Sequence, residues 1–204
     1  MVRSRRLRSR RGAGLLFLVC AALAVSAGAA SSQVKHFPER KQLCTGCHGA
    51  NGVSPTDATP SLGGMPELYS LLQLVAFRDG QRKSEAMNAM LGDMTDDDLR
   101  AAAAFVAAQP RPAPPAGSVD AARMQRGAGL VGQHRCGQCH GAEYLGGEQM
   151  PPLRNQREDY LLKALRDFKA ERRLGDRAAM VEIVTPLTDA DLADVAYFLA
   201  HVKE

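Results

Sequence analysis

Two short stretches carry the reactive side chains of this sequence, Cys44-Thr45-Gly46-Cys47-His48 and Cys136-Gly137-Gln138-Cys139-His140. Both read C-x-x-C-H, two thiols three positions apart followed at once by an imidazole. That pattern attaches c-type haem: the thiols add across the two vinyl groups of one porphyrin, and the adjoining His reaches the iron. Other uses of paired cysteines fit less well. A thioredoxin-like pair needs a strand and a crossover helix around it, and neither copy follows a β-branched, buried-strand run. A zinc site made from two such pairs places them ~15 to 20 residues apart, whereas Cys47 and Cys136 are 89 positions apart. Disulfides closed within each pair leave His48 and His140 without a role. Two covalently bound haem c groups, each with its iron, are therefore expected.

The elements that must position these groups occur twice, at an offset of 91 to 93 residues. Pro60-Ser61-Leu62 matches Pro151-Pro152-Leu153, Tyr69 matches Tyr160, and Phe77 matches Phe168. Further on, Met94-Thr95-Asp96-Asp97-Asp98-Leu99 matches Leu187-Thr188-Asp189-Ala190-Asp191-Leu192. Thr95 and Thr188 read as helix N-caps, with Asp98 and Asp191 three residues on as a carboxylate version of the capping box. Apolar residues then follow at helical spacing, Leu99, Ala102, Phe105 and Val106 in one copy and Leu192, Val195, Phe198 and Leu199 in the other. Further helices are predicted around Glu67 to Phe77 and Glu158 to Lys169, with one more beginning at each C-x-x-C-H motif. Gly- and Pro-rich loops between His48 and Glu67, and between His140 and Arg157, suit a chain wrapped around a flat cofactor. No strand pattern is present, so the expected fold class is all-α.

Domain organisation follows from the repeat. Residues 1–30 read as an export signal: Arg3, Arg5, Arg6, Arg8, Arg10 and Arg11 precede the apolar run Leu15 to Val25 and the small residues Ala27-Gly28-Ala29. The run is short of the ~20 residues that span a bilayer, which makes a retained anchor the lesser alternative, and Cys20 is discarded with the signal. Twin-arginine export is discounted in favour of the Sec route, because haem is added after an unfolded chain has crossed the membrane. Residues 31–108 form the first unit, 109–117 a Pro-rich linker expected to be extended and semi-rigid, and 118–204 the second unit. Without the six signal arginines the chain carries 20 basic against 22 acidic residues, a net of −2. Nothing in that balance suggests nucleic-acid binding.

If His48 and His140 give each iron its fifth ligand, function turns on the sixth. An open position permits catalysis, whereas a Met thioether closes it and favours reduced iron. Candidates are Met65, Met87, Met90 and Met94 in the first unit and Met150 and Met180 in the second, Met124 lying before its motif. A Met is more often a core gap-filler than a ligand, and the repeat discriminates. Met87 lies 39 residues after His48 and Met180 lies 40 after His140, whereas Met90 aligns with Ile183 and Met94 with Leu187. Positions that exchange with plain hydrophobes read as core, which leaves Met87 and Met180 as the expected axial ligands. Arg82 and Arg172 or Arg173 are candidates to meet haem propionates or to stay solvated. Tyr69 and Tyr160 could donate to a propionate or merely pack.

The C-x-x-C-H-G, P-x-L, Tyr-containing helix, Met and T-D-x-D-L segments together resemble the periplasmic dihaem cytochrome c4 group, over essentially all of the chain after the signal. The resemblance implies two tandem class I cytochrome c domains. It also implies that a proline carbonyl of P-x-L holds the other ring nitrogen of the haem His, which points to Pro60 and to Pro151, with Pro152 one position away. The short segment before Cys44 and Tyr144-Leu145-Gly146-Gly147 depart from the group's pattern. The implied function is one-electron carriage in the periplasm rather than catalysis, with a quinol-oxidising complex or dehydrogenase as donor and a membrane oxidase or reductase as acceptor. A monomer or homodimer, with peripheral membrane association left open, is the expected state. The alternatives are the dihaem subunit of a flavoprotein sulfide dehydrogenase or alcohol dehydrogenase, and a dihaem peroxidase, which needs one open iron.

Replacing Cys136 and Cys139 by Ala should leave one covalent haem per chain by pyridine haemochrome quantitation. Recovery of two would overturn the reading of the second motif.

Overall fold

The computed structural model describes residues 34–173 and 178–203. The stretch read as an export signal, with Cys20, lies outside them. The described residues contain nine helices and no strand, only an isolated bridge between Gly147 and Met150. None of these helices is long and apolar enough to cross a membrane.

The repeat seen in the sequence is a repeat of architecture. The first half is built from α1 (Phe37–His48), α2 (Glu67–Arg78), α3 (Glu85–Leu91) and α4 (Asp96–Ala107). The second is built from α5 (Ala121–Gln133), α6 (Gly137–His140), α7 (Glu158–Lys169), α8 (Ala178–Val184) and α9 (Asp189–His201). In each half the last helix is the hub: α4 packs on α1 and α2 as α9 packs on α5 and α7, and α3 leans on α2 as α8 leans on α7. Leu99 and Ala102 of α4 join Phe37, Phe77, Leu91 and Met94 in one core. Leu192, Val195, Ala196 and Leu199 of α9 join Val131, Leu161, Leu165, Phe168, Val184 and Leu187 in the other.

One expectation is corrected. The first C-x-x-C-H motif closes α1 rather than opening a helix, whereas at the second the short α6 does begin within the motif, N-capped by Cys136, after α5 has ended. Both helices end at the motif His. The reason is the glycine that follows each His. Gly49 and Gly141 take φ of +88° and +83°, positive values open to glycine at which the chain leaves the helix. A Cβ at Gly49 would lie 1.9 Å from the Val53 carbonyl oxygen, so the chain turns sharply there only because no side chain is present.

Both capping boxes form, Thr95 with Asp98 and Thr188 with Asp191. Asp98 does more than cap its own helix. Its Oδ2 accepts from the Thr95 N–H at 3.0 Å and the Thr95 hydroxyl at 2.7 Å. Its Oδ1 accepts the backbone N–H groups of Lys35, His36 and Phe37 at 2.8, 2.8 and 3.0 Å. The side chain of His36, the N-cap of α1, makes no capping bond. One carboxylate from α4 thus satisfies orphan donors of two helices. In the second half that work is divided, since Asp120 caps α5 and the Arg123 and Arg126 guanidiniums bind Asp194 of α9.

Burial of Asp98, which is 0% exposed, pushes its pKa up, but the N–H of Phe37 and the Thr95 donors outweigh that and hold it well below the usual carboxylate range. A depressed folded pKa means stability that is present above the unfolded value of about 3.9 and is lost as pH falls toward the folded one. Asp98→Asn should therefore cost about 2–3 kcal/mol in denaturant unfolding at neutral pH and much less in acid. Asp191→Asn, which affects one helix, should cost clearly less; equal losses would deny Asp98 its double role.

Candidate functional site

On a helix, residues three apart share a face, so the last turn of α1 presents Cys44 and Cys47 side by side, with His48 closing the helix. No disulfide joins the four motif cysteines, of which Cys44 and Cys136 are half-buried and Cys47 and Cys139 exposed. Burial pushes the thiols of Cys44 and Cys136 up.

Each imidazole is pinned from behind. His48 Nδ1 lies 2.9 Å from the Pro60 carbonyl oxygen, and His140 Nδ1 lies 2.9 Å from that of Pro151. The partner at the second site is Pro151, not Pro152. A carbonyl can only accept, so Nδ1 carries the proton and the lone pair is on Nε2. Burial lowers the pKa of His48, with the Pro60 contact working against it, which favours the neutral, metal-ligating form.

Met87 sits on α3 and Met180 on α8, both half-buried beside the core of their half. Met94, 3% exposed, and Leu187 are core residues, as the alignment with a plain hydrophobe anticipates. Met90 and Ile183 are partly buried at the core edge, and Met65 is buried. His201 donates through Nδ1–H to the Tyr197 carbonyl, 2.8 Å away, and stacks on the Tyr197 ring.

The two halves meet through crossed, repeat-related pairs. The Arg82 guanidinium donates to the Tyr160 hydroxyl at 3.2 Å, and that of Arg173 to the Tyr69 hydroxyl at 3.1 Å. Arg82 also covers the Phe77 ring at 4.3 Å, as Arg173 covers Phe168 at 4.6 Å. Arg173 is thus the counterpart of Arg82, while Arg172 binds Asp167 on its own half. Burial pushes the Tyr160 hydroxyl up, but the Arg173 and Arg82 charges outweigh it and lower its pKa. Cations hydrogen-bonded to neutral phenols keep an unspent capacity for anions, which suits a cofactor with carboxylate arms.

Contacts with no equivalent in the repeat complete the interface. Gln156 makes two buried bonds to Ser61, accepting its N–H at 2.8 Å and donating to its carbonyl at 2.8 Å. Arg157 donates to the Ser54 carbonyl and to Asp57, and Asp159 accepts the Ala58 N–H at 2.9 Å. The Tyr69 N–H, in the first turn of α2, finds the Glu148 carbonyl at 3.0 Å. Reading the repeat misses these residues, because an interface between unlike surfaces leaves no internal match.

Thiol pairs spaced C-x-x-C, imidazoles whose Nδ1–H is held by a carbonyl, and anion-ready cations fit haem, and the doubled site defines the class: a dihaem c-type electron-transfer cytochrome with two covalent haem c groups. Comparison with known proteins narrows this. Residues 124–203 match the family model described as cytochrome c, and residues 40–106 that of cytochrome c oxidase, cbb3-type, subunit III. Cytochrome c4 of Pseudomonas aeruginosa is 32% identical over 197 residues, covering 91% of this chain and 94% of that one. A thiosulfate dehydrogenase electron acceptor from Thiomonas intermedia is 32% identical over 173 residues, 80% of each chain. The crystal structure of reduced recombinant cytochrome c4 from Pseudomonas stutzeri superposes with a TM-score of 0.73 at 26% identity, over 84% of this chain and 99% of that one. Thiosulfate dehydrogenase from Marichromatium purpuratum gives a TM-score of 0.65 at 29% identity, over 77% of this chain and 36% of that one. The chain belongs to the cytochrome c4 family.

Proposed function

We propose that the chain is exported to the periplasm by the Sec route, loses residues 1–30, and carries single electrons from a quinol-oxidising complex or a dehydrogenase to a terminal oxidase or reductase. Its haem domains are residues 31–108 and 118–204, joined by the linker 109–117. In this reading Cys44 and Cys47 tether one haem, whose iron is held by His48 and Met87. Cys136 and Cys139 tether the other, held by His140 and Met180. Bound haem iron supplies a one-electron Fe(III)/Fe(II) couple. The chain fixes each imidazole through Pro60 or Pro151, Met87 or Met180 would give each iron a thioether, and the apolar residues beside them would keep water off. The observation that carries the reading is the pair of His-to-Pro hydrogen bonds at equivalent places in both halves, each beside a C-x-x-C pair.

A second reading is favoured by the relative described as a thiosulfate dehydrogenase electron acceptor: a dihaem partner serving one dehydrogenase. A free carrier purifies as a monomer or homodimer, whereas a dedicated subunit copurifies with its enzyme. A dihaem peroxidase would instead show a high-spin iron that binds carbon monoxide readily.

Met87→Ala should abolish, for one haem, the weak red-edge absorption of a thioether bound to ferric iron, and should lower that haem's potential. Met90→Leu should do neither. The reverse pattern would show that the register of the two halves had been misread.

A further inference from the structure

The Pro60–Ser61 peptide group has hydrogen bonds at both ends. Its carbonyl oxygen accepts from His48 Nδ1 at 2.9 Å. Its N–H donates to Gln156 Oε1 at 2.8 Å. The relay therefore runs from a side chain of the second half, through one peptide, to the imidazole of the first. It is buried: Ser61 is 2% exposed and Gln156 5%. The bond from Gln156 Nε2 to the Ser61 carbonyl at 2.8 Å fixes the amide so that its oxygen meets the N–H, and Oε1 also accepts the Arg157 N–H at 3.0 Å.

The other half has no such relay. His140 Nδ1 meets the Pro151 carbonyl at the same distance, but the next residue is Pro152, which has no N–H to give. The Pro151–Pro152 peptide cannot be polarised in this way by any neighbour.

We propose that Gln156 is a positioning residue that tunes the imidazole of His48 through the Pro60–Ser61 peptide, so that the two haems of one chain are made inequivalent. The proposal rests on His48 being an iron ligand. An acceptor at the N–H end of a peptide shifts charge toward its carbonyl oxygen, and hydrogen bonds in such a chain strengthen one another. A stronger acceptor at Nδ1–H makes Nε2 a better donor. A better donor favours ferric over ferrous iron, so Gln156 lowers the potential of the first haem and leaves the second alone. Docking of the halves thereby becomes a determinant of electron affinity in one of them.

The test uses the full holoprotein, with both couples followed by NMR during redox titration and each haem assigned through its own cysteines. Gln156→Met should raise the first potential, leave the second in place, and move the His48 Nδ1–H resonance of the reduced protein upfield. Ser61→Pro gives the first half the Pro-Pro pair of the second and should produce the same rise, with no further rise in the double variant. Ser61→Ala keeps the N–H while removing the hydroxyl that accepts from Ser54, and should leave the first potential unchanged. An unmoved first couple in Gln156→Met, an equal shift of both couples, or a shift in Ser61→Ala matching that of Ser61→Pro would each overturn the relay. His48→Ala separates the premises: loss of the low-spin spectrum of the first haem upholds ligation whatever Gln156 does, and its survival removes both.

Discussion

Each half is arranged about a hydrogen bond from a histidine Nδ1 to a proline carbonyl a short way along the chain. That bond fixes which nitrogen keeps its lone pair, and it requires the chain to leave the helix at once and come back. The sharp exit is supplied by Gly49 and Gly141. In the first half the returning loop is held by Ser54, whose hydroxyl donates to the Cys47 carbonyl at 2.8 Å and whose N–H meets the Ser61 hydroxyl at 3.1 Å. Beyond the loop, α2 and α7 carry Tyr69 and Tyr160, which reach the interface.

The two halves meet these demands with different resources. The first has the thinner core, built on Phe37, Phe77, Leu91, Met94, Leu99 and Ala102. It ties its leading segment down with the polar clamp of Asp98 on the N–H groups of residues 35 to 37. The second has a broader core along α9 and can leave its equivalent carboxylate, Asp191, with a single task. Small domains bury too little apolar surface to be comfortable alone. A covalently held porphyrin and a docked neighbour both relieve that shortage.

Duplication gives the interface its approximate symmetry, Arg82 with Tyr160 against Arg173 with Tyr69. Later divergence breaks it. Gln156 grips Ser61, while the position matching Ser61 is Pro152 and cannot be gripped. The linker takes part as well: Arg111 donates to the Leu145 carbonyl, and the Pro112 carbonyl accepts from Asn155. It lies against both halves and does more than set a distance between them.

Much was legible in the sequence because it depends on local spacing. Two thiols and an imidazole at fixed intervals name the cofactor. The T-x-x-D boxes place α4 and α9, and the alignment of Met94 with Leu187 marks both as core. At the first motif the helix ends where one was expected to begin, because helix ends depend on backbone angles such as those of Gly49 and the motif letters do not reveal them. The second task of Asp98, the choice of Arg173 over Arg172, the resolution of Pro151 from Pro152, and the grip of Gln156 on Ser61 were decided only by tertiary structure. Each depends on groups 11 to 104 residues apart in the chain brought within hydrogen-bond reach by the packing of whole helices. No local pattern of residue types encodes that proximity.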